Sequence, residues 1–124
     1  MLSRILKRRS VLMVVSDFTE PLPMEAAAVL ARRHDLMAAV LLDPLERDFK
    51  LPARLAVYDP ESGKVGYLSP GSREPFRKAD QFRENQLRAW TAKGSDRLDL
   101  MAGENVVPPL IGFFRRRLER LGRR

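Results

Sequence analysis

The chain has 124 residues, 44% of them apolar, with 23 Lys and Arg against 16 Asp and Glu and a net charge of +7. That length suits one domain with its own core, and the apolar fraction is too high for a disordered chain. With no Cys and a single His, disulfides, thiolate metal sites, cysteine nucleophiles and multi-histidine metal sites are excluded.

Residues 2–9 place Leu2, Ile5 and Leu6 at helical spacing before a basic turn, so a short helix is expected there. Ser10 to Asp17 (SVLMVVSD) is continuously apolar and rich in β-branched residues. Strands buried on both faces of a parallel sheet have this composition. Phe18 to Pro23, with two prolines, is a loop. Met24 to Arg33 joins helix formers to an acidic first turn and a basic last turn, as the helix dipole favours. Asp35 to Asp43 (DLMAAVLLD) is a second buried strand, ended by Pro44. Strand, helix and strand make a parallel crossover unit.

The middle is different. Arg54 to Tyr58 and Val65 to Leu68 alternate and flank the turn cluster Asp59 to Gly63, which predicts a hairpin at a sheet edge. A helix follows, with Gly71-Ser72 as its cap, Pro75 in its first turn and Gly94 as its stop. Its apolar residues are Phe76, Ala79, Phe82, Leu87 and Trp90. Arg97 to Met101 is a third parallel strand. Asn105 caps a last helix whose stripe reads Val107, Leu110, Phe114, Leu118 and Leu121. Trp90 and Phe114 are both expected to be buried. The fold class is therefore α/β: a three-layer sandwich around a mostly parallel sheet, with an inserted edge hairpin.

The positive charge sits at the ends. Arg4, Lys7, Arg8 and Arg9 open the chain; Arg115, Arg116, Arg117, Arg120, Arg123 and Arg124 form a basic tail over 115–124 against Glu119 alone. The body between is close to neutral, unlike a domain built around nucleic acid. No apolar run approaches the ~18 residues that span a bilayer. The start lacks a secretory apolar region, so the expected location is the cytoplasm, or the inner face of the membrane.

No catalytic motif is present: no phosphate-binding lysine loop, no Gly-rich dinucleotide turn, no nucleophile elbow. His34 falls at a helix-to-strand junction, at the end of the sheet opposite to where active sites gather. The suggestive residues are acidic. Asp17 and Asp43 each end a parallel strand, with Ser16, Thr19, Glu20 and Glu46 close in sequence. Oxygen ligands at the carboxyl ends of strands suit Mg²⁺; an Asp after a strand also caps turns, and Asp43-Pro44 is ordinary turn chemistry.

The runs VLMVVSDF, ALARRHDLMAAVLLDPLE, LAVYDPESGK and PLIGFFRRR, in that order, resemble the C-terminal half of the bacterial domain-of-unknown-function 58 (DUF58) family, from about Ser10 to Arg117. The resemblance implies half of a von Willebrand factor A-like domain, a Rossmann-like doubly wound fold, acting beside a MoxR-type AAA+ ATPase. In such domains a divalent ion is held by an Asp-x-Ser-x-Ser motif, a Thr and a later Asp. Asp17 matches that later Asp; the Asp-x-Ser-x-Ser motif does not occur in this sequence. The resemblance thus implies Asp17 as the remnant of an ion site, with Asp43 a weaker candidate. No cofactor is expected unless a missing N-terminal half supplies the rest of a Mg²⁺ site.

The expected function is a non-enzymatic protein-interaction module partnered with a MoxR-type ATPase. The alternative is binding of nucleic acid or an anionic surface through the basic ends; Mg²⁺-dependent phosphoryl chemistry at Asp17 and Asp43 lacks a phosphate cradle. In the resembled topology the strand at Val11 to Val15 lacks its neighbour, and no charge or proline blunts it. Such an edge pairs with something, so a homodimer, or docking on another chain, is expected there.

Overall fold

A computed structural model describes residues 5–47, 53–60, 62–71 and 73–121. The two apolar runs form β1 (Val11–Ser16) and β2 (Asp35–Leu42), joined by α1 (Met24–Arg33). They pair in parallel, Val11 beside Asp35 through Ser16 beside Val40. After β2 come the single turn α2 (Pro44–Arg47), the hairpin β3 (Leu55–Tyr58) and β4 (Val65–Leu68), and the long helix α3 (Glu74–Thr91). Then β5 (Asp96–Met101) pairs in parallel with the free side of β2, and α4 (Val107–Leu121) closes the described chain. The sheet order is β1-β2-β5. Both crossovers join parallel strands, which need such long connections.

The central strand explains the layers. Met37 to Val40 have no exposed surface, because β2 has a helix layer on each face. Even-numbered Leu36, Ala38, Val40 and Leu42 pack with Phe18, Ala27, Leu87 and Trp90, under α1 and α3. Odd-numbered Met37 and Ala39 pack with Leu98, Leu100 and Phe113, under α4. Alternation of side chains across a strand makes these two cores. The three-layer α/β sandwich follows.

The hairpin forms with the expected strands and turn, and Gly63 (φ 69°) donates its N–H to the Asp59 carbonyl at 2.9 Å. Among the described residues its two strands pair with each other and with neither edge of the parallel sheet. Every residue of β3 is exposed, so it brings no apolar face with which to join the core. Ser72 lies outside the described residues, and the cap position of α3 is Arg73, with Pro75 in the first turn. Gly94 (φ 91°) stops that helix, and the Asn105 carboxamide accepts the Val107 N–H at 3.0 Å as a cap for α4. Of the helix expected at 2–9, residues 2–4 lie outside the described residues, and residues 6–9 are not helical, so the expected helix is not formed there.

The inward faces of both late helices are rotated from their expected stripes. In α3, Leu87 and Trp90 are buried as expected, but Arg83 is buried and Phe82 exposed. In α4, Phe113 is 4% exposed and Phe114 39%; the expected burial of Phe114 is wrong by one residue. Each helix turns an arginine inward to meet carboxylates. Arg83 reaches Asp80 and, at 3.1 Å, Glu46, while Arg117 reaches Asp35 and Asp96. Arg97 ties β5 to α3 through Glu84 at 2.7 Å, and this hydrogen bond holds the Glu84 carboxyl below its usual range. No helix among the described residues is long and apolar enough to cross a membrane.

Candidate functional site

Parallel pairing carries Asp17 and Asp43 to the same end of the sheet, at the carboxyl ends of neighbouring strands. Both are exposed. The loop that presents Asp17 is tightly built. Phe18 takes a left-handed conformation (φ 57°), rare for a bulky residue, and is held there by burial edge-on against Trp90, 6.0 Å between ring centroids. Gln86 of α3 fastens the same loop: its amide nitrogen donates to the carbonyls of Phe18 (3.3 Å) and Glu20 (3.0 Å), and its oxygen accepts the Leu22 N–H (2.7 Å).

Within that loop one Asp17 carboxylate oxygen accepts the Thr19 N–H at 3.3 Å and the Ser16 hydroxyl at 3.4 Å. This is a turn-capping role. Glu46 is drawn to Arg83 instead of toward Asp17. Among the described residues, no three His, Asp or Glu side chains come together as an ion site. The described side chains around Asp17 do not by themselves make up the ion site that the fold resemblance implies. Calorimetric titration with Mg²⁺ or Mn²⁺ is expected to give no micromolar binding, since two carboxylates and a hydroxyl make at best a hydrated, weak site. Micromolar binding that disappears in Asp17→Asn would contradict this.

The amino ends of the strands hold a second polar cluster. Arg117 bridges Asp35 of β2 and Asp96 of β5, and Arg120 joins Asp96 at 3.0 Å. Together with Arg9 they border a hollow of about 380 Å³. The charges there largely answer one another, which is a structural arrangement. It also removes Arg117 from the basic tail: that side chain is buried, and 115–121 is helix. His34 lies nearby at the expected helix-to-strand junction, buried, with Nδ1 accepting the Ser10 N–H at 3.3 Å. It serves to tie the entry of β1 to β2.

The third feature is apolar and was only half visible in the sequence. Side chains of Val11, Met13 and Val15 point to the α4 side of the sheet, the side of Met13's packing partners. Val11 and Val15 remain 62% and 56% exposed there, and Leu41 of β2 is exposed on the same side. On α4 itself, Val107, Ile111, Phe114 and Leu118 are exposed and recur at helical spacing. Pro109 and Arg116 border a hollow with Arg97, Leu98 and Asp99 of β5, so that flank of α4 faces the outer edge of β5. The apolar stripe is on the opposite flank, toward β2 and β1. The uncovered valines and the helix stripe thus make the floor and wall of one apolar surface. Contiguous apolar patches of this kind are uncommon on exposed protein surfaces. Beside it, β1 is an edge strand among the described residues.

Residues 1–89 match the family model described as "Protein of unknown function DUF58". An uncharacterised protein of Mycobacterium bovis and uncharacterised proteins of two strains of Mycobacterium tuberculosis are each 31% identical over 113 residues. The match takes in 86% of this chain and 35% of each relative. The chain thus spans about a third of the length of the curated relatives it matches. No solved structure matches it significantly.

Proposed function

The chain belongs to the DUF58 family, and we propose that it is a non-enzymatic interaction module: half of a von Willebrand A-like domain that docks a MoxR-type AAA+ ATPase. One observation carries the reading, the apolar surface of Val11, Val15 and Leu41 with the α4 stripe Ile111, Phe114 and Leu118, exposed among the described residues. The parallel order β1-β2-β5 and the position of Asp17 at the end of β1 support the von Willebrand A-like assignment. Exposed Arg115 borders the stripe. The matching partner element is an amphipathic helix with an acidic rim.

Binding of the ATPase to this chain, read by surface plasmon resonance, tests the proposal. Phe114→Arg or Leu118→Arg is expected to weaken it at least about tenfold, as loss of an apolar anchor does. Both side chains are exposed, so the variants fold. Unchanged affinity in both would overturn the reading. A steep loss of affinity for DNA or RNA with salt, in the absence of ATPase binding, would instead assign the basic ends to phosphates.

A further inference from the structure

We infer that the amino-end pole of the domain docks end-on against an anionic lipid surface, through cations that the fold gathers from several elements. The helices α1 and α3 each lead into the start of a strand, and α4 ends beside Asp35 and Asp96, the first residues of β2 and β5. All three helix C-termini therefore collect at the pole where the strands begin. Such ends favour cations, and the sequence supplies them: Arg32 and Arg33 close α1, Lys93 follows α3, and Arg120 lies in the last turn of α4. Lys7, Arg8 and Arg9 reach the same pole on the segment entering β1, where Arg9 and Arg120 line one hollow. The two basic segments, far apart in sequence, thus meet in space.

Inside the hollow the charges answer one another, Arg117 and Arg120 with Asp35 and Asp96. Around it they do not. Lys7, Arg8, Arg32, Arg33 and Lys93 are exposed, and none of them forms an ion pair among the described residues. At the opposite pole the strands run out into Asp17, Asp43 and Glu104, so the molecule is polarised along the strand axis. The cations come from both helix layers and from the sheet entry between them, and so spread over an end face instead of tracking a groove. That layout suits the broad negative potential of a lipid surface, where each Lys or Arg near the headgroups adds its own attraction. A nucleic-acid strand is held along a basic groove with aromatic side chains for its bases. The exposed aromatics are elsewhere, Tyr58 and Tyr67 on the hairpin and Phe82 and Phe114 on helix flanks. End-on docking leaves the α4 stripe open to a protein partner, so the inference stands apart from the ATPase reading.

Vesicle flotation with the full chain tests this. Binding is expected to vesicles of phosphatidylcholine with about 30% phosphatidylglycerol and not to phosphatidylcholine alone, and is expected to weaken at about 0.5 M salt as the charges are screened. Arg32→Gln with Arg33→Gln, and separately Lys7→Gln with Arg8→Gln, are each expected to weaken the partition at least about tenfold. Arg77→Gln with Lys78→Gln removes the same charge from the first turns of α3, at the far end, and is expected to change it less than about threefold. All six side chains are exposed, so the variants fold. No binding to the anionic vesicles would overturn the inference, and so would equal losses from all three pairs, which would show net charge alone at work. DNA binding that needs Arg32 and Arg33 and outcompetes the vesicles at equal salt would also overturn it, by assigning the pole to nucleic-acid phosphates. No variant here alters Phe114 or Leu118, so the ATPase test is read separately.

Discussion

Replacing Phe113 with Ala is expected to cost about 3–5 kcal/mol of folding stability, while the same change at Phe114 is expected to cost under about 1 kcal/mol. The two phenylalanines are adjacent in sequence and in edge-on contact, with ring centroids 5.4 Å apart. They differ in what surrounds them. Phe113 closes the core made by Met37, Ala39, Leu98 and Leu100, so truncation there leaves a cavity. Phe114 stands on the outer flank of α4, and truncation exposes it to water it already meets. Trp90→Ala, on the opposite face of the sheet, is expected to match Phe113→Ala, because Trp90 holds Phe18 and the α1–α3 core. A domain of this kind has roughly 5–15 kcal/mol in all. Urea denaturation reads the differences as shifts in midpoint at constant slope. Equal losses at 113 and 114 would show that α4 sits rotated by about one residue.

That rotation marks what the sequence does and does not make legible. Two unbroken apolar runs joined by a helix-length segment admit few arrangements, and the parallel β1–β2 pair was readable from them. The stripe of α4 was not. Its apolar residues Val107, Leu110, Ile111, Phe113, Phe114 and Leu118 cover nearly half the helix, more than one sheet face can bury. Periodicity alone chose Phe114; the choice in the structure goes to Phe113 because Arg117, four residues on, meets Asp35 and Asp96. The signal for this was present as an arginine on the rim of the stripe and an aspartate at the start of each partner strand. It becomes readable only once the strand order is known.

The polar end of the sheet divides in the same way. Asp17 and Asp43 were placed by strand ends and adjacent pairing, both local or near-local features. Gln86 was invisible, although three of its hydrogen bonds shape the Asp17 loop, because they cross 64 to 68 residues of sequence. Nothing in the run around Gln86 distinguishes it from an exposed helix residue. The hairpin was legible as a hairpin from its turn residues, and its separation from the sheet was not, since pairing between distant edges leaves no mark in a four-residue strand.

Removing Arg117 is the remaining large effect, expected at about 2–3 kcal/mol for Arg117→Ala. Breaking one partner out of a fully buried ion pair costs about 3–5 kcal/mol, mostly by stranding the other charge. Here the side chains of Asp35 and Asp96 keep 34% and 29% of their surface exposed, so water recovers part of that cost. The arginine stem also packs in the interior, and its guanidinium lies 5.5 Å from the Phe113 ring, so some of the loss is contact and not charge. Arg117→Met, which keeps the stem, is therefore expected to lose less than Arg117→Ala. Arg117→Lys keeps the charge but cannot span two carboxylates with one planar fork, and is expected to fall short of the unaltered chain. Arg115→Ala, on the exposed face, is expected to stay within about 0.5 kcal/mol. A double-mutant cycle of Arg117→Ala with Asp35→Asn isolates the pair. Coupling near zero would mean that packing alone seats the helix. Strong coupling would mean that the ion pair orients α4, and with it the flank on which Phe114 and Leu118 are displayed.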